Sequence, residues 1–314
     1  MKSIEERIED LKREKNAVIL AHYYEDGEIQ DIADEVGDSL FLAQKGADST
    51  ADVILLAGVV FMGESVKLLS PEKTVLVPDL KAGCSLVDSS PAKEYAAWKA
   101  NKPDSVLISY INCSAEAKAV SDLICTSSNA EKIVNAVPES KKILFGPDRN
   151  LGNFLAKKLN REMEMWPGSC EVHMLFHAKE LFKLTQQHQD AVVIAHPECE
   201  PEVLQYADVV GSTSRLLKEV RENPAKKFIV ATEDGIFHQM KKDRPDAELI
   251  QAPNADGNCG CNQCPYMKLN TLEKIEQALI HLSPTVKIDE AIMDRARLPL
   301  DRMMKLSRGE TIEL

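Results

Sequence analysis

Short apolar stretches alternate with longer amphipathic ones along this chain. In the first third, stretches of strand length lie at Val18 to Ala21, Val53 to Ala57 and Val75 to Val77. Helical patterns separate them, at Ile29 to Val36, Leu40 to Lys45 and Gly63 to Leu69. A link at Gly37 to Ser39 can supply a fourth strand. The same alternation recurs between residues 106 and 165 and again between 192 and 251.

This alternation predicts an α/β fold. Strands that alternate with helices of about ten residues favour right-handed crossovers and parallel sheets. Near-continuous apolar strands are typical of sheets that helices cover on both faces. We therefore predict three similar three-layer αβα domains, at residues 1–90, 91–186 and 187–270, with a tail at 271–314 that packs back on the first.

Matching residues recur once in each predicted domain. The segments VILAHYY, VLISYIN and VVIAHPE fall in register, which places His22, Tyr110 and His196 at intervals of 88 and 86 residues. Cys84, Cys170 and Cys264 recur at intervals of 86 and 94 residues. Chance periodicity in any α/β chain is the alternative, but a further row of hydroxyl-bearing turns agrees with these two. The rows predict pseudo-threefold symmetry around one central site at the carboxyl ends of the strands.

Composition narrows the classes of function. The net charge of −12 over 314 residues disfavours a nucleic acid partner, which needs clustered Lys and Arg. The longest apolar run, ADVILLAGVVFMG, is too short to span a membrane. The charged N-terminus lacks the features of a secretory signal, so we expect a cytoplasmic protein. In that compartment eight cysteines favour metal binding or catalysis over disulfides.

The cysteine pattern predicts a metal site. Cys259, Cys261 and Cys264 have the spacing C-x-C-x-x-C, which suits zinc, an iron-sulfur cluster or a redox-active thiol pair. Only one member of this group fits the threefold row with Cys84 and Cys170. A four-iron cluster usually has four cysteine ligands, so three would leave one iron open to substrate. The other cysteines are interpreted as small buried apolar residues, namely Cys113, Cys125 and Cys199.

Polar residues that follow the strands are candidates for catalysis and binding. His196 and Glu198 suit acid and base steps, and His173 follows a cysteine by three residues. The donors at the equivalent turns are His22, Tyr24, Tyr110 and Asn112. Hydroxyls at predicted helix starts can bind phosphate or carboxylate, and these are Ser39, Ser127, Ser212 and Thr213. Each residue alone also fits a structural role, such as helix capping or a buried hydrogen bond. Met62, Glu64 and Glu233 are weaker candidates for the same cleft.

Ten short motifs, in this order along nearly the whole chain, resemble the quinolinate synthase family of NAD biosynthesis. They are AHYY (21–24), GDSL (37–40), AGC (82–84), YINCSAE (110–116), CTSSNA (125–130), GPDRNLG (146–152), AHPEC (195–199), GSTS (211–214), ATEDG (231–235) and CPYMK (264–268). The resemblance implies three α/β domains around one 4Fe-4S cluster with three cysteine ligands, Cys84, Cys170 and Cys264, and one open iron site. Cys259 and Cys261 are then extra thiols.

The resemblance also implies an activity. The family condenses iminoaspartate with dihydroxyacetone phosphate to give quinolinate, with loss of phosphate and water. It places His22 and Tyr24 in the active site, with Tyr24 in proton transfer, and allows transient contact with the enzyme that supplies iminoaspartate. Two alternatives remain: an iron-sulfur hydro-lyase that acts on a small hydroxy acid, and a non-enzymatic scaffold held together by a metal.

Overall fold

The computed structural model describes residues 2–256 and 262–313. Within these residues the strands form three four-stranded sheets, and every pair of neighbouring strands is parallel. The strands are β1 (Ala17–His22), β2 (Glu35–Gly37), β3 (Val53–Ala57), β4 (Thr74–Leu76), β5 (Ser105–Tyr110), β6 (Leu123–Cys125), β7 (Lys142–Gly146), β8 (Met163–Met165), β9 (Val192–Ala195), β10 (Val209–Val210), β11 (Lys227–Ala231) and β12 (Glu248–Gln251).

The three sheets share one topology. Their strand orders are β2-β1-β3-β4, β6-β5-β7-β8 and β10-β9-β11-β12, so each sheet has its first and third strands at the centre. We call the segments that carry these sheets the first, second and third units. The α/β class with three parallel sheets is confirmed, whereas the pseudo-threefold arrangement and the domain boundaries stay predictions.

Helices connect the strands and cover the sheets. They are α1 (Ile4–Lys15), α2 (Gly27–Ile32), α3 (Ser39–Asp48), α4 (Val60–Leu69), α5 (Ser85–Asp88), α6 (Ala92–Ala100), α7 (Ala115–Lys118), α8 (Ala130–Asn135), α9 (Arg149–Leu159), α10 (Ala178–Gln187), α11 (Pro201–Leu204), α12 (Thr213–Glu222), α13 (Phe237–Asp243), α14 (Leu272–His281) and α15 (Glu290–Arg308). Three short 3-10 helices lie at His173–Leu175, Asp234–Ile236 and Met267–Leu269 within the described residues. No helix in this part of the chain has both the length and the apolar character needed to cross a bilayer.

The central strand β3 explains why the sheets need helices on both faces. All of its side chains are buried. Ile54 and Leu56 belong to one hydrophobic core, whereas Val53, Leu55 and Ala57 belong to another. Because successive side chains of a strand point to opposite faces, the two cores lie on opposite sides of the sheet. This is the αβα layering that the apolar strand patterns predict.

The C-terminal helices divide between two units. Helix α14 packs on α1 and β3 of the first unit, which is the unit on which the tail is predicted to pack. Helix α15 contacts α4 of the first unit, but also α7, α8 and β6 of the second. Its buried face consists of Ala296, Pro299, Leu300, Met303 and Leu306. The second half of the tail therefore joins the first two units.

One predicted helix is too long. The pattern at Ile29 to Val36 predicts a single helix, but α2 ends at Ile32 and β2 begins at Glu35. Glu35 pairs with Leu20 and Val36 with Ala21, in register with β1. Pairing with a central strand therefore outweighs the local helical pattern, and the predicted strand at Gly37 to Ser39 lies two residues earlier.

Candidate active site

One buried cavity collects residues from all three units. Strands β1 and β5 end at His22 and Tyr110, and His196 directly follows β9. His22, Tyr110 and His196 come from three different sheets, and all three line the cavity, so the carboxyl ends of the three sheets face a common space. The predicted residues that line the cavity are His22, Tyr24, Ser39, Cys84, Tyr110, Asn112, Ser127, Cys170, His173, His196, Glu198, Thr213 and Cys264.

The three cysteines of the repeat occupy similar turns. Each follows the last strand of its sheet and precedes a short helical segment: α5 after Cys84, His173–Leu175 after Cys170 and Met267–Leu269 after Cys264. In every case the cysteine carbonyl accepts the N–H of the fourth residue along, from Asp88 at 3.0 Å, Met174 at 3.1 Å and Lys268 at 3.2 Å. A thiol at the start of such a turn faces backbone N–H groups, which favour its thiolate.

The protein environment holds the cysteines as thiols in the absence of a cation. Burial raises the pKa of Cys84 and Cys170 above the ordinary range and that of Cys264 to about 11. Backbone N–H groups oppose the shift, from Leu86 and Val87 at Cys84 and from Tyr266 and Met267 at Cys264. Cys264 adds to the shift of Cys84, and Cys84 to that of Cys170, so the three sulfur atoms lie within electrostatic reach of one another.

A second group of metal-ligating atoms surrounds Cys170. Cys170, His173 and Glu198 each offer one such atom, and these atoms lie within 4.8 Å of one another. A single ion needs donors at this spacing, whereas a four-iron cluster is larger and holds its cysteines further apart. His173 and Glu198 are already paired, with Nδ1 2.9 Å from Oε2. This hydrogen bond is an alternative role for the pair that needs no ion.

His22 and His196 have matching surroundings. In each case Nδ1 accepts a backbone N–H from two residues later, Tyr24 at 3.2 Å and Glu198 at 3.4 Å. Burial lowers the pKa of His22 to about 4 and that of His196 to about 3. Both rings are therefore neutral at pH 7, with the proton on Nε2. Neutral rings of this form can donate a hydrogen bond to a substrate oxygen, but they are weak bases.

Glu198 is a buried carboxylate. Burial alone would raise its pKa, but His173 and His196, with hydrogen bonds from His173 and Tyr110, outweigh burial and lower it. The Tyr110 phenol donates to Glu198 and has a pKa raised by burial first and by this carboxylate second. Glu198 is thus ionised at neutral pH, and its lowered pKa makes it a weak base but, once protonated, a good acid.

A chain of hydrogen bonds links Tyr24 to Glu198. The Tyr24 hydroxyl lies 2.6 Å from Oγ1 of Thr232, which lies 3.0 Å from Nε2 of His173. The opposite ring nitrogen of His173 contacts Glu198, which completes the chain. Burial, followed by the charge of Glu198, raises the pKa of Tyr24 well above its ordinary value, so the phenol keeps its proton. Hydroxyls and imidazole can both donate and accept, so this chain can move a proton.

Sequence reasoning missed Thr232. It directly follows β11, as His196 follows β9, and it belongs to the ATEDG motif. The position after a strand was therefore a usable signal. Threonine is common at such positions for structural reasons, and only its two side-chain contacts distinguish it.

Asn112 has one atom without a protein partner. Its Oδ1 is buried and has no hydrogen-bond partner within the described residues, although the residue lines the cavity. A buried acceptor of this kind is costly unless a ligand or water satisfies it. Asn112 can therefore receive an N–H or O–H group from a molecule in the cavity.

Asp38 connects the three units beside the cavity. Its Oδ2 accepts hydrogen bonds from the hydroxyls of Ser128 in the second unit and Ser214 in the third, each at 2.6 Å. Its Oδ1 accepts the Phe41 N–H at 3.0 Å and caps α3. The three hydroxyl-bearing turns thus meet at one carboxylate, which the sequence did not single out.

Several predicted residues lie elsewhere or at a different point of a helix. Ser212 does not line the cavity but caps α12 by accepting the Arg215 N–H. Ser127 lines the cavity, but α8 begins only at Ala130. Of the weaker candidates, Met62 and Glu233 line the cavity, whereas Glu64 does not and accepts the Ala115 N–H at 2.9 Å.

The remaining cysteines fall into two groups. Three are fully buried among apolar residues, as small hydrophobic side chains would be, namely Cys113, Cys125 and Cys199. Cys259 and Cys261 lie outside the described residues.

Three sheets of parallel strands around one cavity, which carboxylate, imidazole and thiol side chains line, are typical of an α/β enzyme with its site between structural units. The family model for quinolinate synthetase A protein matches residues 6–305. Quinolinate synthase of Gloeothece citriformis is 54% identical over 301 residues, which cover 96% of this chain and 93% of that protein. The Synechocystis enzyme of the same name is 53% identical over 300 residues, or 96% and 94% of the two chains. This chain belongs to the quinolinate synthetase A family.

Proposed function

We propose that the protein condenses iminoaspartate with dihydroxyacetone phosphate to form quinolinate, with loss of phosphate and water. The observation that carries the proposal is the buried chain from Tyr24 through Thr232 and His173 to Glu198, beside three thiols in one cavity. Ring formation needs several proton transfers, and this arrangement provides an acid, a base and a connection between them. The proposal includes the cytoplasmic location expected from the sequence.

The donor set fits an iron-sulfur cluster. Cys84, Cys170 and Cys264 would hold it, because each presents a thiol to the cavity from a turn whose N–H groups favour the thiolate. A 4Fe-4S cluster bound by three cysteines would supply one open iron as a Lewis acid. The soft thiolates favour such a cluster over an oxygen-liganded ion such as magnesium.

Substrate anions would bind where helices begin. Ser39 and Thr213 are the first residues of α3 and α12, and both line the cavity. The caps Asp38 and Ser212 accept the N–H groups of Phe41 and Arg215. The first N–H groups of each helix have no acceptor within the helix and can bind an anion. These helix ends, with Ser127, would bind the phosphate and carboxylate groups.

Other residues would orient the imine. His22 and His196 donate from Nε2 to carboxylate or carbonyl oxygens. Asn112 would accept the imine N–H at its unpaired Oδ1, and Tyr110 would hold Glu198 in place. His22, Tyr110 and His196 are almost fully buried, which limits the access of water that would hydrolyse the imine.

Proton transfer would run from Tyr24 to Glu198. The Tyr24 oxygen takes a proton from substrate while its own proton passes through Thr232 and His173 to Glu198. The protonated Glu198, whose lowered pKa makes it a good acid, then returns a proton to the departing hydroxyl or to a carbonyl oxygen. Each transfer moves one proton between two named groups, so the protein ends the cycle as it began.

An anaerobic assay for quinolinate from the two substrates tests the proposal. We expect Cys84→Ala, Cys170→Ala and Cys264→Ala each to abolish activity and lower iron content, whereas Cys113→Ala retains both. Cys113 is the matched control because it is a buried cysteine that does not line the cavity. Iron and sulfide counts below one cluster per chain in active protein would refute the cofactor assignment.

The same assay separates the two alternatives. An iron-sulfur hydro-lyase would bind iron but would not consume the triose phosphate. A scaffold would contain one zinc per chain, show no visible absorbance and turn over neither substrate. The sequence and the cavity favour the condensation, because a scaffold has no use for a buried acid and base.

A further inference from the structure

Two buried carboxylates accept hydrogen bonds from the backbone of the cysteine turns. Oδ2 of Asp148 accepts the backbone N–H of Cys170 at 3.2 Å, and Oε1 of Glu233 accepts that of Cys264 at 3.1 Å. Both side chains are 0% exposed. Neither side chain takes part in the proton transfers described above.

Asp148 and Glu233 are equivalent by position. Asp148 lies two residues beyond the end of β7, and Glu233 lies two residues beyond the end of β11, the third strand of each sheet. The corresponding residue of the first unit, two beyond β3, is Val59. Two of the three units therefore place a carboxylate here, and one places an apolar side chain.

Backbone hydrogen bonds support this correspondence. The residue after Val59 donates its N–H to the carbonyl of Ala82, two residues before Cys84, at 2.8 Å. The residue after Asp148 donates to the carbonyl of Gly168, two residues before Cys170, at 2.9 Å. The loops therefore make the same backbone contact beside both cysteine turns, whereas the side chain at this position differs.

Each carboxylate also holds a second segment. Oδ1 of Asp148 accepts the Leu151 N–H at 2.7 Å and caps α9. Oε2 of Glu233 accepts the Gly235 N–H at 2.7 Å, in the turn that follows it. Both oxygens are thus used, one for the loop after the third strand and one for the cysteine turn.

We propose that Asp148 and Glu233 are positioning residues that fix the turns of Cys170 and Cys264 before any cluster binds. The inference rests on the proposed three-cysteine site. Groups that orient metal ligands commonly set both metal affinity and metal properties. A cysteine N–H bound to a carboxylate also cannot donate to a cluster sulfur, and such hydrogen bonds help set the reduction potential.

The discriminating variants are Asp148→Asn and Glu233→Gln. Each keeps the shape of the side chain, but an amide has only one acceptor oxygen, so one of the two backbone N–H groups loses its partner. Asp289→Asn is the matched control, because Asp289 also caps a helix, accepting the Ala291 N–H at 2.9 Å, and does not line the cavity.

Amide hydrogen exchange of the cluster-free protein tests the positioning directly. In Asp148→Asn we expect exchange at Cys170 or Leu151 to become at least tenfold faster, because one of these two N–H groups loses its acceptor. In Glu233→Gln we expect the same at Cys264 or Gly235. None of these amides should change in Asp289→Asn. If a variant fails to fold, the wild-type protein still tests the proposal, because the proposal requires the amides of Cys170 and Cys264 to exchange slowly in it. Fast exchange at both in the wild type would overturn the proposal.

Reconstituted protein supplies the second measurement. We expect both variants to release iron to a chelator several-fold faster than Asp289→Asn, and their reduction potential, followed by electron paramagnetic resonance, to become more positive. Release rates and potentials equal to those of the control would overturn the inference. Wild-type protein that binds no iron would instead refute the proposed cofactor. The exchange measurement would still test whether Asp148 and Glu233 fix the cysteine turns, because it uses cluster-free protein.

Discussion

Replacement of Thr232 by valine isolates the proton chain from the rest of the site. Valine has nearly the shape of threonine, but it lacks the hydroxyl that contacts Tyr24 at 2.6 Å and His173 at 3.0 Å. Thr232 is fully buried, so solvent does not readily take the place of the lost group. The substitution therefore breaks the connection while every proposed substrate contact is kept.

The structure sets the expected size of two effects. General acid-base steps contribute about 10²- to 10⁴-fold to rate, so kcat should fall within that range while KM changes little. The Tyr24 hydroxyl and the His173 ring nitrogen each lose a buried partner, at about 1–3 kcal/mol apiece in the free energy of unfolding. Loss of activity should therefore come with a measurable loss of stability.

The assay is anaerobic quinolinate formation, with urea unfolding of the same preparations. Thr232→Ser is the control, since it restores a hydroxyl and should recover most of the rate. A Thr232→Val protein with full iron content and kcat within about threefold of wild type would contradict the role given to the chain, because general acid-base steps are worth far more than this.

Three further predictions concern stability. Asp38→Ala should lower the free energy of unfolding by several kcal/mol, because the hydroxyls of Ser128 and Ser214 lose a charged acceptor, at about 1.5–3 kcal/mol each; equal losses in Asp289→Ala would refute this. Burial raises the pKa of Glu25 from 4.5 to about 8. Between these values the folded state binds more protons, so stability should fall as pH rises, and titration of unfolding should show Glu25→Gln free of this decline. The pKa of His22 is lowered by burial from 6.5 to about 4, so stability should fall as pH drops through that window, by roughly 3 kcal/mol. A His22→Gln curve parallel to that of the wild type would rule out this cause.

Much of the fold follows from the strand pattern. The β3 stretch is apolar throughout, which is what a strand between two helical layers requires, and it was located from the sequence. Strand β2 was placed wrongly because three edge residues, Glu35 to Gly37, carry too short a pattern to compete with the preceding helix. Pairing with β1 is a long-range contact that no local window contains.

Some residues of the candidate site could likewise be predicted from the sequence, and others could not. Residues at the ends of the repeated strands, such as His22, Tyr110 and His196, could be predicted to converge because they occupy matching positions in the three units. Asp38 and Thr232 could not be assigned partners, since their contacts cross from one unit to another. Such contacts depend on how the units dock, which the periodicity of each unit leaves open.

The junction at Asp38 has a consequence for the precision of the site. Oδ2 of Asp38 receives the bonds from Ser128 and Ser214, so one oxygen atom sets the spacing of three turns that come from distant parts of the chain. Ser39, Ser127 and Thr213 directly adjoin these three residues and line the cavity, so a shift of any one unit would alter the distances among all three hydroxyls.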